Sequence, residues 1–217
     1  MPNEASAKIR VYLEVGGKRT FASAADWPGW CRSGKDESAA LEALAAYAPR
    51  YAVVAKLAKA HFPGGSPTFE IIERLTGNAT TDYGAPGIPA KDESKTSSAQ
   101  QASRMLDLLE ACWTYLDQVV AKAPAELRKG PRGGGRDRDK MFDHVLGAES
   151  EYAKAIGVRL KQPEARDTAA VRAFRKAIRD GIDNPTEGVK WPVTYAVRRT
   201  AWHALDHAWE IEDRSTP

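Results

Sequence analysis

Four runs of apolar residues at helical spacing fill the chain from about residue 98 onward, and they restrict its fold more than any other feature. Met105, Leu109, Cys112, Leu116 and Val119 recur at alternating steps of four and three, the spacing that lines up side chains on one helix face. A second run, 139–158, sets Met141, Val145, Tyr152 and Ile156 on one side, with Phe142 and Leu146 beside them. A third, 167–179, carries Val171, Phe174 and Ile178. The fourth, 192–213, carries Val197, Ala201, Leu205 and Ala208. It opens on Pro192, whose missing N–H costs nothing in a first helical turn. Four such amphipathic helices in about 120 residues predict a four-helix bundle.

The chain before them changes period. Residues 9–15 are rich in Val and Tyr and alternate as a strand does; Gly16-Gly17 is a hairpin turn signal, and 18–24 reads as the returning strand. Asp26-Trp27-Pro28-Gly29-Trp30-Cys31 reads as a loop, because Pro-Gly punctuates structure. From Asp36 the sequence ESAALEALAAYA favours helix on propensity. Pro49 starts or kinks a second helix to about residue 60, PGGSP ends it, and 68–75 reads as one more strand. Residues 76–98, with Gly77, Gly84, Pro86, Gly87, Pro89 and KDESKTSS, have linker chemistry. The fold class expected is an α+β N-terminal domain (1–78), a linker (79–97) and an all-α four-helix bundle (98–217), mainly α overall.

Composition narrows the partners. Lys and Arg number 32 and Asp and Glu 29, a net charge of +3, too balanced for a general nucleic-acid binder. No uncharged apolar run approaches the roughly 18 residues a membrane span requires. MPNEASAKIR lacks the apolar stretch of a secretory signal, and Cys31 and Cys112 cannot build a disulfide framework. A cytoplasmic protein with a small-molecule substrate, and with neither membrane nor nucleic acid as partner, is expected. A homodimer is left open.

The chemistry is concentrated in histidines. The chain has four, and two of them, His203 and His207, are four apart, about 40° around a helix and one turn up. Both lie on the flank of the apolar arc of their helix, and His144 holds the same position on the second. Flanking positions on two packed helices can face one cleft, where imidazoles bind zinc, nickel and similar ions. Three nitrogen ligands leave a coordination position open, the arrangement of a catalytic metal. The alternative is three independently solvated or satisfied histidines.

Glu149 falls inside an apolar arc and so requires a partner or a raised pKa. It is a candidate to orient a ligand histidine or act as general base, the alternative being a structural bond to an Arg or Tyr on a neighbouring helix. Arg199, one turn before His203, is a candidate to grip a substrate carboxylate, the alternative being an exposed i,i+4 charge pattern with Asp206 and Glu210 nearby. Cys112, on the first apolar stripe, reads as a small core residue. Cys31, in a Trp-rich loop, is the more reactive thiol of the two. His61 reads as a capping or surface residue. The loop 128–140, RKGPRGGGRDRDK, has six basic and two acidic residues; without aromatic interleaving or a phosphate-loop spacing it reads as a solvated connector.

Asp143-His144-Val145-Leu146-Gly147-Ala148-Glu149, followed by Trp202-His203-Ala204-Leu205-Asp206-His207, resembles the DinB/YfiT-like superfamily over about residues 98–214. The resemblance implies a four-helix bundle and a divalent metal, zinc or nickel, held by His144, His203 and His207. It also implies an activity among thiol-dependent S-transferases or isomerases, with a low-molecular-weight thiol such as mycothiol or bacillithiol as co-substrate, or among metal-dependent hydrolases. The lead expectation is a thiol S-transferase with Glu149 and Arg199 as catalytic candidates; the other is a metal-binding or stress-response module without turnover. Residues 11–44 resemble the HicB-like fold through Asp26, Pro28, Gly29, Gly34, Ala40 and Leu41, which implies a protein-partner role. Trp27 and Trp30 depart from that pattern, and are expected to line a pocket over the metal cleft or to pack the domain interface.

Overall fold

The computed structural model describes residues 8–63, 65–95, 98–130 and 134–215. Several positions singled out above lie outside the described residues: 1–7, Gly64 of the break after the second helix, Thr96 and Ser97 of the linker, Pro131, Arg132 and Gly133 of the basic loop, and residues 216 and 217. The fold is mixed α and β and mainly α, with one four-stranded sheet and seven α-helices among the described residues.

The expected hairpin forms from β1 (Ile9–Val15) and β2 (Thr20–Ala24), antiparallel with Leu13 opposite Ala22. A third strand, β3 (Cys31–Gly34), pairs antiparallel with β2. The sequence reading assigned Cys31 to a loop; the Pro-Gly signal masked a strand that starts immediately after it. The last strand, β4 (Phe69–Thr76), lies parallel to β1, giving the order β3-β2-β1-β4. Between β3 and β4 run α1 (Glu37–Ala46) and α2 (Ala48–Leu57). Asp36 caps α1 by accepting a hydrogen bond from the Ala39 amide at 2.9 Å, and Pro49 stands in the first turn of α2, where its ring is tolerated.

All five residues of β2 are buried, so the sheet is covered on both faces. One face, with Val11, Leu13, Ala22 and Ala24, belongs to the main core with Leu44, Tyr51 and Val54 of α1 and α2. The other face is covered by the stretch expected as a linker. That stretch contains α3 (Ala79–Tyr83) and a 3-10 turn, Lys91–Ser94. It is fastened by Glu14 of β1, whose buried carboxylate accepts from Thr81 Oγ1 at 2.6 Å and from the amides of Gly87 and Ile88 at 2.8 and 3.0 Å. A buried charge is tolerable when its lone pairs are filled in this way.

The four long helices are α4 (Ala99–Lys122), α5 (Arg138–Ala155), α6 (Thr168–Asp183) and α7 (Val193–Ser215). Helix α4 begins in a capping box between Ser98 and Gln101, which satisfies amides left free at a helix start. It packs along α7 and also meets α2, α5 and α6, while α5 lies on another flank of α7. The apolar core runs unbroken from Ile9 and Trp30 through Leu44 to Leu109, Val145 and Leu205.

The loop 26–30 makes much of that join. Gly29 has φ +91°, and a Cβ there would stand 2.8 Å from Leu205 Cδ1 and 3.1 Å from the Ala201 carbonyl oxygen. Only glycine satisfies both that conformation and that approach to α7. The Pro28 carbonyl accepts from Tyr51 Oη at 2.9 Å, and Arg104 of α4 donates to the Asp26 carbonyl at 2.5 Å. Trp30 stacks on Tyr51 with ring centroids 5.6 Å apart and donates from Nε1 to the Leu44 carbonyl; Trp27 packs edge-on against Phe62. Trp30 thus packs within the N-terminal part, and Trp27 also reaches across to α4, where the Arg104 guanidinium lies 4.3 Å over its ring.

Candidate metal centre

Helix α7 is buried at every residue from Tyr195 to Leu205. It is enclosed by α4, α5 and the 3-10 turn, and by the sheet, through Phe21 against Trp202 at 6.1 Å. A helix covered on all sides buries its polar side chains as well as its apolar ones. For this reason His203, on the flank of the apolar arc, is only 6% exposed. His207, one turn on, and His144, from the first half of α5, are half-buried.

The three imidazoles converge. Each offers a ring nitrogen, and these nitrogens all lie within 4.8 Å of one another. His144 stands edge-on to both His203 and His207, with ring centroids 5.1 Å away in each case. The Nε2 atoms of His203 and His207 are 3.2 Å apart. The other nitrogen of His207, Nδ1, is 3.2 Å from Glu210 Oε2. A carboxylate only accepts, so Nδ1 is the donor in this contact, and the bond turns Nε2 toward His203. A carboxylate on the far ring nitrogen is the common support of a metal-binding imidazole. Arg214 Nη1 holds Glu210 in turn at 2.8 Å.

This donor set fits a divalent ion. Two metal–nitrogen bonds of about 2.0–2.1 Å at a tetrahedral angle place their nitrogens about 3.3 Å apart, close to the 3.2 Å between the paired Nε2 atoms. Nitrogen-only ligation suits zinc or nickel. Among the described residues no fourth His, Cys, Asp or Glu joins the group. For His144 and His203 the surroundings favour the neutral ring, the form that ligates. Burial, then the positive charge of Arg136, lowers the pKa of His144 from its ordinary 6.5. Burial holds the pKa of His203 well below that value, with His207 and Arg199 acting in the same direction.

Aromatic rings wall the group. Tyr152, two turns along α5 from His144, lies 5.8 Å from the His203 ring, and Trp202 is also 5.8 Å from it. Trp191 continues the wall from Tyr152, at 5.3 Å, to Tyr195, at 4.9 Å. Burial pushes the Tyr152 phenol above its usual pKa of 10.0.

Arg199 belongs to this wall. It is 9% exposed, so it does not occupy the exposed charge pattern offered as one alternative. Its guanidinium carbon lies over the faces of Trp202, at 4.6 Å, and Tyr152, at 5.3 Å. Its Nη1 is enclosed without a hydrogen-bond partner. Cation–π contacts contribute about 0.5–2 kcal/mol, less than the several kcal/mol it costs to bury an ion.

Glu149 is placed elsewhere. Its buried carboxylate receives Arg175 of α6 at 3.2 and 3.3 Å, and Arg175 also reaches Asp117 of α4 at 2.8 Å. The carboxylate is thus engaged by an arginine on a neighbouring helix, and no hydrogen bond joins it to an imidazole among the described residues. Cys112 lies in the core, as its stripe suggested. Cys31 is fully enclosed, and burial pushes its thiol up to about 12 despite the Ser23 hydroxyl that bonds it; Cys112 is raised further. His61 is exposed. In the basic loop, Lys129 pairs with Asp137 at 2.5 Å.

Sequence reasoning missed the supporting residues. Glu210 registered only as a surface charge, although its i+3 spacing from His207 on a helix was available as a signal. Tyr152 read as core. The Glu93–Arg198 pair, below, had no local signal at all. In three comparisons, no family model, no curated protein and no solved structure matched the chain.

Proposed function

We propose that the chain is a DinB-like metal-dependent enzyme in which α4–α7 form the four-helix bundle, His144, His203 and His207 hold zinc or nickel, and a low-molecular-weight thiol is transferred to a small-molecule acceptor. The observation that carries this reading is the convergence of three imidazoles from α5 and α7, their nitrogens within 4.8 Å, without a fourth ligand among the described residues. A divalent ion held by His144, His203 and His207 would supply a lowered pKa to a coordinated thiol or water, and so a nucleophile at neutral pH. The chain's own residues do the rest. His203 stays neutral through burial, Glu210 fixes the ring orientation of His207, and Tyr152, Trp191 and Trp202 keep bulk water from one side of the group. The sheet with α1 and α2 is the HicB-like unit, which buttresses α7 through the loop 26–30.

Titration calorimetry tests the thiol. Mycothiol and bacillithiol are titrated separately into zinc-loaded protein and into protein stripped by a chelator. Binding of one of them to the loaded form alone is the expected result; equal binding to both forms, or binding to neither, contradicts the assignment.

A further inference from the structure

Among the described residues three arginines are more than nine-tenths buried: Arg175 at 5%, Arg198 at 3% and Arg199 at 9% exposure. Two of them have acids. Arg175 pairs with Glu149 and Asp117, and Arg198 pairs with Glu93 at 2.5 Å while its Nη2 bonds the Ile88 carbonyl. Arg199 has no carboxylate within ion-pair distance among the described residues, and its Nη1 lacks any hydrogen-bond partner. It stands one turn before His203, against the same Tyr152 and Trp202 rings that flank that imidazole. A fold that neutralises its other buried arginines with acids has left this one, beside the histidine cluster, to be neutralised from outside.

We infer that Arg199 binds a carboxylate group of the substrate, so that the acceptor is an organic acid with its anionic end on Arg199 and its reacting end toward the three histidines. The inference takes from the metal reading only where the reacting end lies. The guanidinium is backed by two ring faces, so it meets a ligand along its edge, and a planar carboxylate matches that edge with two parallel hydrogen bonds. A tetrahedral phosphate would call for several donors, and among the described residues Arg199 is the sole buried arginine without an acid. Arg136, whose positive charge reaches both His144 and His203, adds to the attraction for an anion, and the aromatic wall suits an apolar body behind the carboxylate.

Benzoate is the probe, because it combines a carboxylate with a flat apolar body; benzamide is its neutral isostere and inorganic phosphate the competing anion. Calorimetry on the zinc-loaded full chain is expected to show benzoate bound at least about tenfold more tightly than benzamide and than phosphate. In Arg199→Met, which keeps the side-chain volume and removes the charge, that preference disappears, while zinc content and thermal midpoint do not fall. If this variant does not fold, Arg199→Lys, which retains the charge without the fork, weakens benzoate about tenfold. Equal binding of benzoate and benzamide to the wild type overturns the inference, as does an unchanged benzoate preference in the variant. Tighter phosphate binding overturns the choice of carboxylate. The same titrations on metal-free protein separate the two readings: failure of the protein to retain either zinc or nickel after loading defeats the metal reading, whereas the benzoate preference still decides the role of Arg199.

Discussion

Cys31 and Cys112 show how far the enclosure of one side chain sets its chemistry. Cys31 opens β3 with its Sγ accepting from Ser23 Oγ at 3.0 Å, and Cys112 lies in the core of α4 near the Pro28 carbonyl. Burial raises both thiols, Cys31 to about 12 and Cys112 further. At pH 8 a group with a pKa of about 12 is ionised in about one molecule in ten thousand, and the thiolate is the nucleophile. Neither cysteine is therefore expected to react with an aromatic disulfide reagent in the folded protein over minutes at pH 8, and both to react once it is unfolded in guanidinium. Rapid release of one equivalent from the native chain would contradict the burial assigned here. The place of Cys112 was legible in its apolar stripe. That of Cys31 was not, because a four-residue strand is too short to show its own alternation after a Trp-Pro-Gly-Trp loop. The three histidines were legible for the opposite reason: two at i and i+4 on a strongly periodic helix leave little freedom in where their rings point.

Helix α7 is the element on which the sequence reading and the structure differ most. Its apolar arc, Val197, Ala201, Leu205 and Ala208, was correctly located, yet Arg198, Arg199, Thr200 and His203 are buried too. Periodicity reports one apolar face. It cannot report that a second face is covered by polar partners from distant parts of the chain. The clearest case is Arg198, whose Nε and Nη2 meet Glu93 at 2.5 and 2.9 Å. Glu93 comes from a run, KDESKTSS, that reads as solvated linker. With both side chains 4% exposed or less, removing one leaves the other charged and dry, a loss of about 3–5 kcal/mol. Glu93→Ala is expected to lower the unfolding free energy in urea by that amount, and Glu93→Leu combined with Arg198→Met to recover most of it. Additive losses in the double variant would show that the two groups are not a buried pair.

Across the whole molecule, β1, β2, α1, α2, β4 and the four long helices were readable in advance, whereas β3, α3, the 3-10 turn and the union of the elements were not. A single apolar core joins the sheet, α1 and α2 to the long helices. The joining pieces are a glycine whose α-carbon sits against Leu205, a linker pinned by Glu14 and Glu93, and Trp27, under the Arg104 guanidinium of α4. Long-range contacts of that kind carry no local sequence pattern, so chemistry that depends on one helix could be read and chemistry shared between distant segments could not. The histidine cluster crosses that boundary only because both of its helices are strongly periodic. One bound ion would tie α5 to α7 and make the site a property of the assembled fold rather than of either helix. Elemental analysis of purified, dialysed protein tests this most directly, on the wild type beside His144→Ala, His203→Ala and His207→Ala. The account predicts about one zinc or nickel ion per wild-type chain and less than about a tenth of that in each variant, with all four proteins folded by circular dichroism. Metal retained at the wild-type level after loss of any one imidazole would contradict it.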